Sequence, residues 1–125
     1  ETCSVCHAEQ TEFWQGTSHA RAYSTLERSG DQLRYDCLPC HSLGYGQTFV
    51  DTRKVGAFKN VQCESCHGTH PEHSGDPKKA PWPKIRGHSV DPLKCWTCHN
   101  PKFTQLPFDP NETFSKVTCP PKGRD

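Results

Sequence analysis

Four times in 125 residues the chain spells Cys-x-x-Cys-His: Cys3, Cys6 and His7; Cys37, Cys40 and His41; Cys63, Cys66 and His67; Cys95, Cys98 and His99. In each repeat the two thiols can add across the vinyl groups of a haem, and the following imidazole can ligate the iron. Eight of the nine cysteines are committed in this way. The pattern calls for four covalently bound haem c groups held close together, and electron transfer is the chemistry that suits them. Four thiol pairs could instead make two zinc sites, but zinc does not require a histidine directly after the second cysteine. A disulfide framework leaves the same histidine unexplained. A thioredoxin-like redox pair needs one motif in a βαβ setting, which the chain does not offer.

The axial ligands can be counted. Beyond His7, His41, His67 and His99, the chain has four more histidines: His19, His70, His73 and His88. Four haems need eight axial ligands, and eight histidines are present. Methionine is absent, which rules out the His/Met pairing that raises the potential of many small cytochromes. Bis-histidine iron of low potential is the inference; the alternative for any of the four extra histidines is a surface position. Cys119 has no partner once the thioethers form, and no histidine follows it. It stands as a free thiol, an intermolecular disulfide or a thiolate ligand, the partly buried free thiol being the simplest of these.

The elements that must position these groups are short. Residues 8–28 form the best helical stretch, with Ser18 as a plausible cap for the segment that follows and Gly30 closing the run. Phe13, Trp14, Tyr23 and Leu26 from this stretch could line haem faces or pack ordinarily. Residues 42–50 are punctuated by Gly44 and Gly46 and read as loop or short extended chain. Residues 58–62 read as a brief strand leading to the third motif. From 68 to 92, Pro71, Pro77, Pro81, Pro83 and Pro92 forbid a long helix, so loop wrapped over haem is expected. The tail from about 101 is proline-rich, with Phe103, Phe108 and Phe114 as anchors that fold back or reach a neighbour.

Motifs starting at 3, 37, 63 and 95 lie 34, 26 and 32 residues apart, too little chain for independent domains. One domain over 1–125 is expected, mostly irregular and α, with a haem-dominated core, short helices and long loops. Only 31% of residues are hydrophobic, and mean hydropathy is -0.88. The polypeptide alone has little from which to build a core, and four porphyrins would supply the apolar surface. Without them the chain should be largely unfolded. The formal charge of +1 omits the haem propionates, which would shift the surface towards acidic. Lysine and arginine are dispersed, so no nucleic-acid partner is expected. Within these 125 residues no signal-peptide pattern and no apolar run long enough to span a membrane is read, so no transmembrane segment is expected here. A first motif at residue 3 suggests a processed start or an excised domain. Haem attachment of this kind implies export, to the periplasm or the cell exterior. Asn111 heads a glycosylation sequon of a kind that arises often by chance.

Beyond the haem motifs the chain resembles the tetrahaem cytochromes of the cytochrome c-554 family. The likeness lies in Trp14 with Ser18-His19-Ala20 and Tyr23-Ser24-Thr25-Leu26, then Cys37-Leu38-Pro39-Cys40-His41 with Gly44-Tyr45-Gly46. It continues through Val61-Gln62-Cys63-Glu64-Ser65-Cys66-His67-Gly68, with His73 six residues beyond His67, and ends at Pro107-Phe108-Asp109. The chain is shorter than typical members. The resemblance implies a mostly helical, haem-dominated fold with stacked and perpendicular haem pairs. It implies that His19 pairs with His99 on the fourth haem and His73 with His7 on the first. His70 and His88 are left for the haems of His41 and His67 respectively, in a family whose second haem can lack a distal ligand. Similar in haem arrangement are extracellular cytochromes that polymerise into conducting filaments, where one subunit's histidine can complete a haem in the next.

Three functions are open on this reading. The first is an electron conduit, either an exported carrier or a filament subunit, whose partners are redox proteins or further copies of itself. The second is a nitrogen-oxide oxidoreductase acting on nitric oxide, nitrite or hydroxylamine at one five-coordinate haem. The third is a module of a larger multihaem complex.

Overall fold

The computed structural model describes residues 2–76, 78–82, 90–100, 102, 108–109 and 113–121. Its helices are short: α1 (Thr2–Cys6), α2 (Ala8–Gln15), α3 (Ala22–Ser29), α4 (Leu38–His41), α5 (Cys63–His67) and α6 (Pro71–Gly75). Tight 3-10 turns add His19–Arg21, Gly56–Phe58, Pro92–Thr97 and Phe114–Lys116. No strand forms among the described residues; sheet pairing is confined to isolated bridges of Ser42 with Lys59 and Tyr45 with Phe49. The fold is thus helical and irregular. Helices this short are marginal alone, so their stability comes from what they pack against.

The stretch at 8–28 is helical but interrupted. The Gly16 amide bonds to the Phe13 carbonyl, while the Thr17 hydroxyl turns back to Trp14, and the chain re-enters helix only at His19. Ser18 does not cap the second segment: its backbone is already helical, and its side chain makes no cap bond. Gly30 closes α3 as expected, in the left-handed region at φ +81°. The strand expected at 58–62 is absent. Asn60 adopts φ +75°, which breaks an extended run, and Leu43 pairs with Phe58 through one backbone bond of 2.8 Å. Residues 68–92 hold one short helix, α6, with Pro71 in its first turn. Pro77 and Pro83 lie outside the described residues, as do Phe103, Pro107 and Asn111.

Buried apolar residues gather in one place. Tyr23 and Leu26 from α3 pack with Leu38 of α4, Phe49 and Val55, flanked by Cys37, Tyr45 and Phe58. Phe49 stacks on Phe58 at 5.7 Å, and Tyr45 meets Phe49 edge-on at 5.4 Å. This cluster surrounds the second motif only. Among the described residues, α1, α2, α5 and the Pro92–Thr97 turn contribute no buried apolar side chain. The tail folds back, since the Gln10 amide of α2 donates to the Pro120 carbonyl at 2.9 Å.

Candidate haem-binding site

Each Cys-x-x-Cys-His motif lies on a helical turn. Positions i, i+3 and i+4 share one face of a helix, so two thiols and one imidazole project from the same side. The turn closes when the histidine amide bonds to the first cysteine's carbonyl. That bond is 2.9 Å from His7 to Cys3, 3.2 Å from His41 to Cys37 and 2.9 Å from His99 to Cys95. The third motif is itself a helix, α5. Its entry is held by Gln62, whose amide nitrogen donates to the Ala57 and Lys59 carbonyls at 2.6 and 2.9 Å.

Imidazoles meet in pairs. The ring centres of His7 and His73 are 6.3 Å apart with planes 27° from parallel. Those of His19 and His99 are 6.0 Å apart with planes 55° from parallel. A metal–imidazole nitrogen bond is about 2.0–2.1 Å and the ring centre lies roughly 1.1 Å beyond the nitrogen, so two imidazoles capping one iron have centres roughly 6.3 Å apart. The separations of both pairs match the spacing that a shared iron requires. Burial, reinforced for His19 by the neighbouring His99, pushes the basicity of His19 down, and burial does the same for His99. Both rings therefore favour the neutral form, which alone can ligate a metal.

Backbone carbonyls orient two further rings. His41 Nδ1 lies 2.6 Å from the Ala22 carbonyl oxygen, and His73 Nδ1 lies 2.8 Å from that of Ala80. A carbonyl oxygen only accepts, so each ring carries its proton on Nδ1 and presents Nε2 as the ligating atom. Asn60 and Val61 brace the same region. The Asn60 amide donates to the His41 carbonyl at 3.1 Å, its side-chain oxygen accepts from the Tyr23 amide at 2.9 Å, and the Val61 amide donates to the His19 carbonyl at 3.1 Å. The indole of Trp14 donates to the Val61 carbonyl at 2.7 Å, which ties α2 to the approach of the third motif.

The cysteines show which motifs are neighbours. The Cys40 and Cys98 thiols lie near enough to act on each other, the second motif beside the fourth, and their interaction lowers the pKa of Cys98 and raises that of Cys40. Cys63 lies within electrostatic reach of Cys3, and Cys66 of Cys95, so the third motif adjoins both the first and the fourth. Cys119 lies close to Cys63 and Cys66 and is held as a neutral thiol by burial. Among the described residues no three of His, Cys, Asp or Glu converge as a metal ion alone would need.

His70 is placed against Trp82, whose ring centre lies 4.2 Å away, and Trp82 also touches His67 and His73. His88 lies outside the described residues. Residues that sequence reasoning passed over are Trp82 and the carbonyls of Ala22, Ala80 and Val61. Trp82 carried a signal, as the one tryptophan in the proline-rich stretch. Phe108, noted as an anchor, lies parallel to His99 at 4.2 Å with a 13° interplanar angle.

Thiol pairs and an imidazole on each of four helical turns, with imidazoles meeting across a metal-sized gap, define a c-type cytochrome. The chain belongs to the family of cytochrome c554 and c-prime, whose pattern matches residues 2–68. It is similar to cytochrome c-554 of Nitrosomonas europaea, at 30% identity over 95 residues that cover 62% of this chain and 40% of the relative. The chain therefore corresponds to less than half the length of that relative. No solved structure matches it. No helix among the described residues is long and apolar enough to cross a membrane.

Proposed function

We propose that the chain carries four covalent haem c groups, each closed by two histidines, and that it conducts electrons rather than transforming a substrate. Bound haem iron supplies one-electron redox chemistry. The thioethers would form at Cys3 and Cys6, Cys37 and Cys40, Cys63 and Cys66, and Cys95 and Cys98. His7 with His73 and His19 with His99 would cap the first and fourth irons. His41 and His67 would hold the second and third, with His70 and His88 as the remaining ligands. The carrying observation is the spacing of the two imidazole pairs, 6.3 and 6.0 Å, against the roughly 6.3 Å that a shared iron requires.

The residues of the chain have three tasks in this function. Paired imidazoles leave an iron no vacant position, so substrates are kept out. Ala22 and Ala80 fix the proton on Nδ1 of His41 and His73, which makes each ring a better donor and holds its plane. The electrostatic reach between cysteines of different motifs supports an order along the molecule of first, third, fourth and second. Electrons entering at one end of that order would leave at the other. The lack of methionine supports low potentials throughout. One domain, export, and redox proteins or further copies of the chain as partners belong to the same reading.

The test is haem content by intact mass and pyridine haemochrome assay, followed by electron paramagnetic resonance of the oxidised protein. Four haems per chain and only low-spin ferric signals are expected. A high-spin signal of about one haem equivalent would replace the closed conduit by a protein with an open iron. Electron microscopy of the same sample separates a carrier that stays single from a filament subunit.

A further inference from the structure

Trp82 lies in the sequence Ala80-Pro81-Trp82, within the segment that the haem motifs leave without a task. Among the described residues its indole meets three imidazoles: His70 at 4.2 Å and 73°, His73 at 5.2 Å and 89°, and His67 at 5.7 Å and 86°. All three are edge-to-face contacts, the arrangement in which the positive edge of one ring meets the negative face of another. In the proposed ligation these imidazoles serve different haems. His67 belongs to the third motif, the ring of His73 faces His7 of the first, and His70 is the ligand left for the second. Two residues before Trp82, the Ala80 carbonyl accepts from His73 Nδ1 at 2.8 Å. The same short segment thus sets the tautomer of His73 and bounds the rotation of its ring. Pro81 stiffens the link between the two contacts, because its ring locks φ.

We infer that Trp82 is a positioning residue shared by the first, second and third haem sites, fixing the planes of His73, His70 and His67 together and shielding them from water. The inference rests on the proposed haem ligation. Trp82 is no ligand, since indole offers only an N–H donor. Its effect runs through the imidazoles: a fixed plane sets how the iron d orbitals split, and exclusion of water disfavours the charged ferric form. Removing the indole would therefore alter three sites at once and lower their potentials. Among the described residues no ring contact joins Trp82 to His19 or His99, so that site serves as an internal control.

The experiment compares wild-type protein with Trp82→Leu and Trp82→Phe, by haem assay, electron paramagnetic resonance and potentiometric titration. Haem content and low-spin character of the wild type test the ligation itself, independently of Trp82. Given four low-spin haems, Trp82→Leu should move three of the four resonance signals and shift three of the four redox waves downwards, leaving that of the His19 and His99 site in place. Trp82→Phe keeps an aromatic face and should move the same three by less. Signals and waves of Trp82→Leu that coincide with wild type would overturn the inference. Equal displacement of all four would overturn it too, because that marks a general loosening. If Trp82→Leu does not accumulate, Trp82→Phe decides alone: the same three signals move, or the inference falls.

Discussion

His7 and His73 come from opposite halves of the chain, yet their ring centres lie 6.3 Å apart with planes 27° from parallel. His7 is held by the turn that closes α1, through its amide bond to the Cys3 carbonyl. His73 is held by α6 and by the Ala80 carbonyl. Replacing His73 with alanine should leave the first iron with one protein ligand. A high-spin ferric signal of about one haem equivalent and new carbon monoxide binding on reduction are expected. His73→Met should keep that iron closed and raise its potential by on the order of 0.1 V or more, within the roughly 0.8 V range that axial ligands span. An unchanged spectrum in His73→Ala would remove His73 from the ligand set.

The second pair differs from the first in angle, and the difference is measurable. The planes of His19 and His99 are 55° from parallel. As two axial imidazole planes rotate away from parallel, the iron d orbitals that they split draw closer in energy and the largest g value rises. The fourth haem should therefore show a larger maximum g value than the first. Phe108 bears on this angle because it lies parallel to His99 at 4.2 Å and is itself met edge-on by Trp96 at 5.8 Å. Phe108→Ala should shift that one signal and cost about 1 kcal/mol of stability from the lost aromatic contacts. A shift spread over several signals would show that Phe108 does not act through His99.

Two left-handed glycines should respond unequally to the same substitution. Gly30 has φ +81° and nothing within 4 Å of an added Cβ, while Gly44 has φ +76° and a Cβ there would sit 2.5 Å from Thr48 Oγ1. Thr48 cannot easily withdraw, because its amide bonds to the Gly44 carbonyl at 2.7 Å. Gly30→Ala should cost about 1–2 kcal/mol, the ordinary penalty for an L residue in that conformation. Gly44→Ala should cost more than this, as the clash adds to the backbone strain. Chemical denaturation of the two variants checks the order. Equal losses would mean that the turn at 42–50 opens without consequence for the second motif.

The haem motifs and the short, irregular elements could be read from residue types and spacing, and the family and helical character from the resemblance that longer stretches carry. The pattern i, i+3, i+4 in Cys-x-x-Cys-His also encodes a helical turn, so the turns around His7, His41 and His99 were legible in principle though they were not drawn from it. Local rules failed where a distant contact decides the outcome. Ser18 has the chemistry of a cap, but Val61 holds the neighbouring His19 carbonyl and the chain there is already helical. Residues 58–62 have strand composition, yet Asn60 turns at φ +75° to reach both His41 and Tyr23. Trp82 stood out in the sequence only as the one tryptophan of a proline-rich stretch, because His67, His70 and His73 come together around it only in three dimensions.

The residues between the paired cysteines offer a last contrast. Leu38, inside the second motif, is 0% exposed among Tyr23, Leu26, Phe49 and Val55, whereas Val5, inside the first, is 83% exposed. The apolar packing of the described chain is thus concentrated at one haem site. Leu38→Ala should cost about 2–5 kcal/mol, because the surrounding rings and the anchored thiols on either side limit collapse into the space left. Val5→Ala should stay within about 0.5 kcal/mol of wild type, as exposed positions usually do. The axial signals of the first and fourth haems should be unchanged in both variants. Thermal and guanidinium unfolding of the haem-loaded protein measures the difference. A Leu38→Ala protein as stable as wild type would mean that thioethers and axial ligands hold the fold without help from this cluster, and the small core around the second motif would then be dispensable.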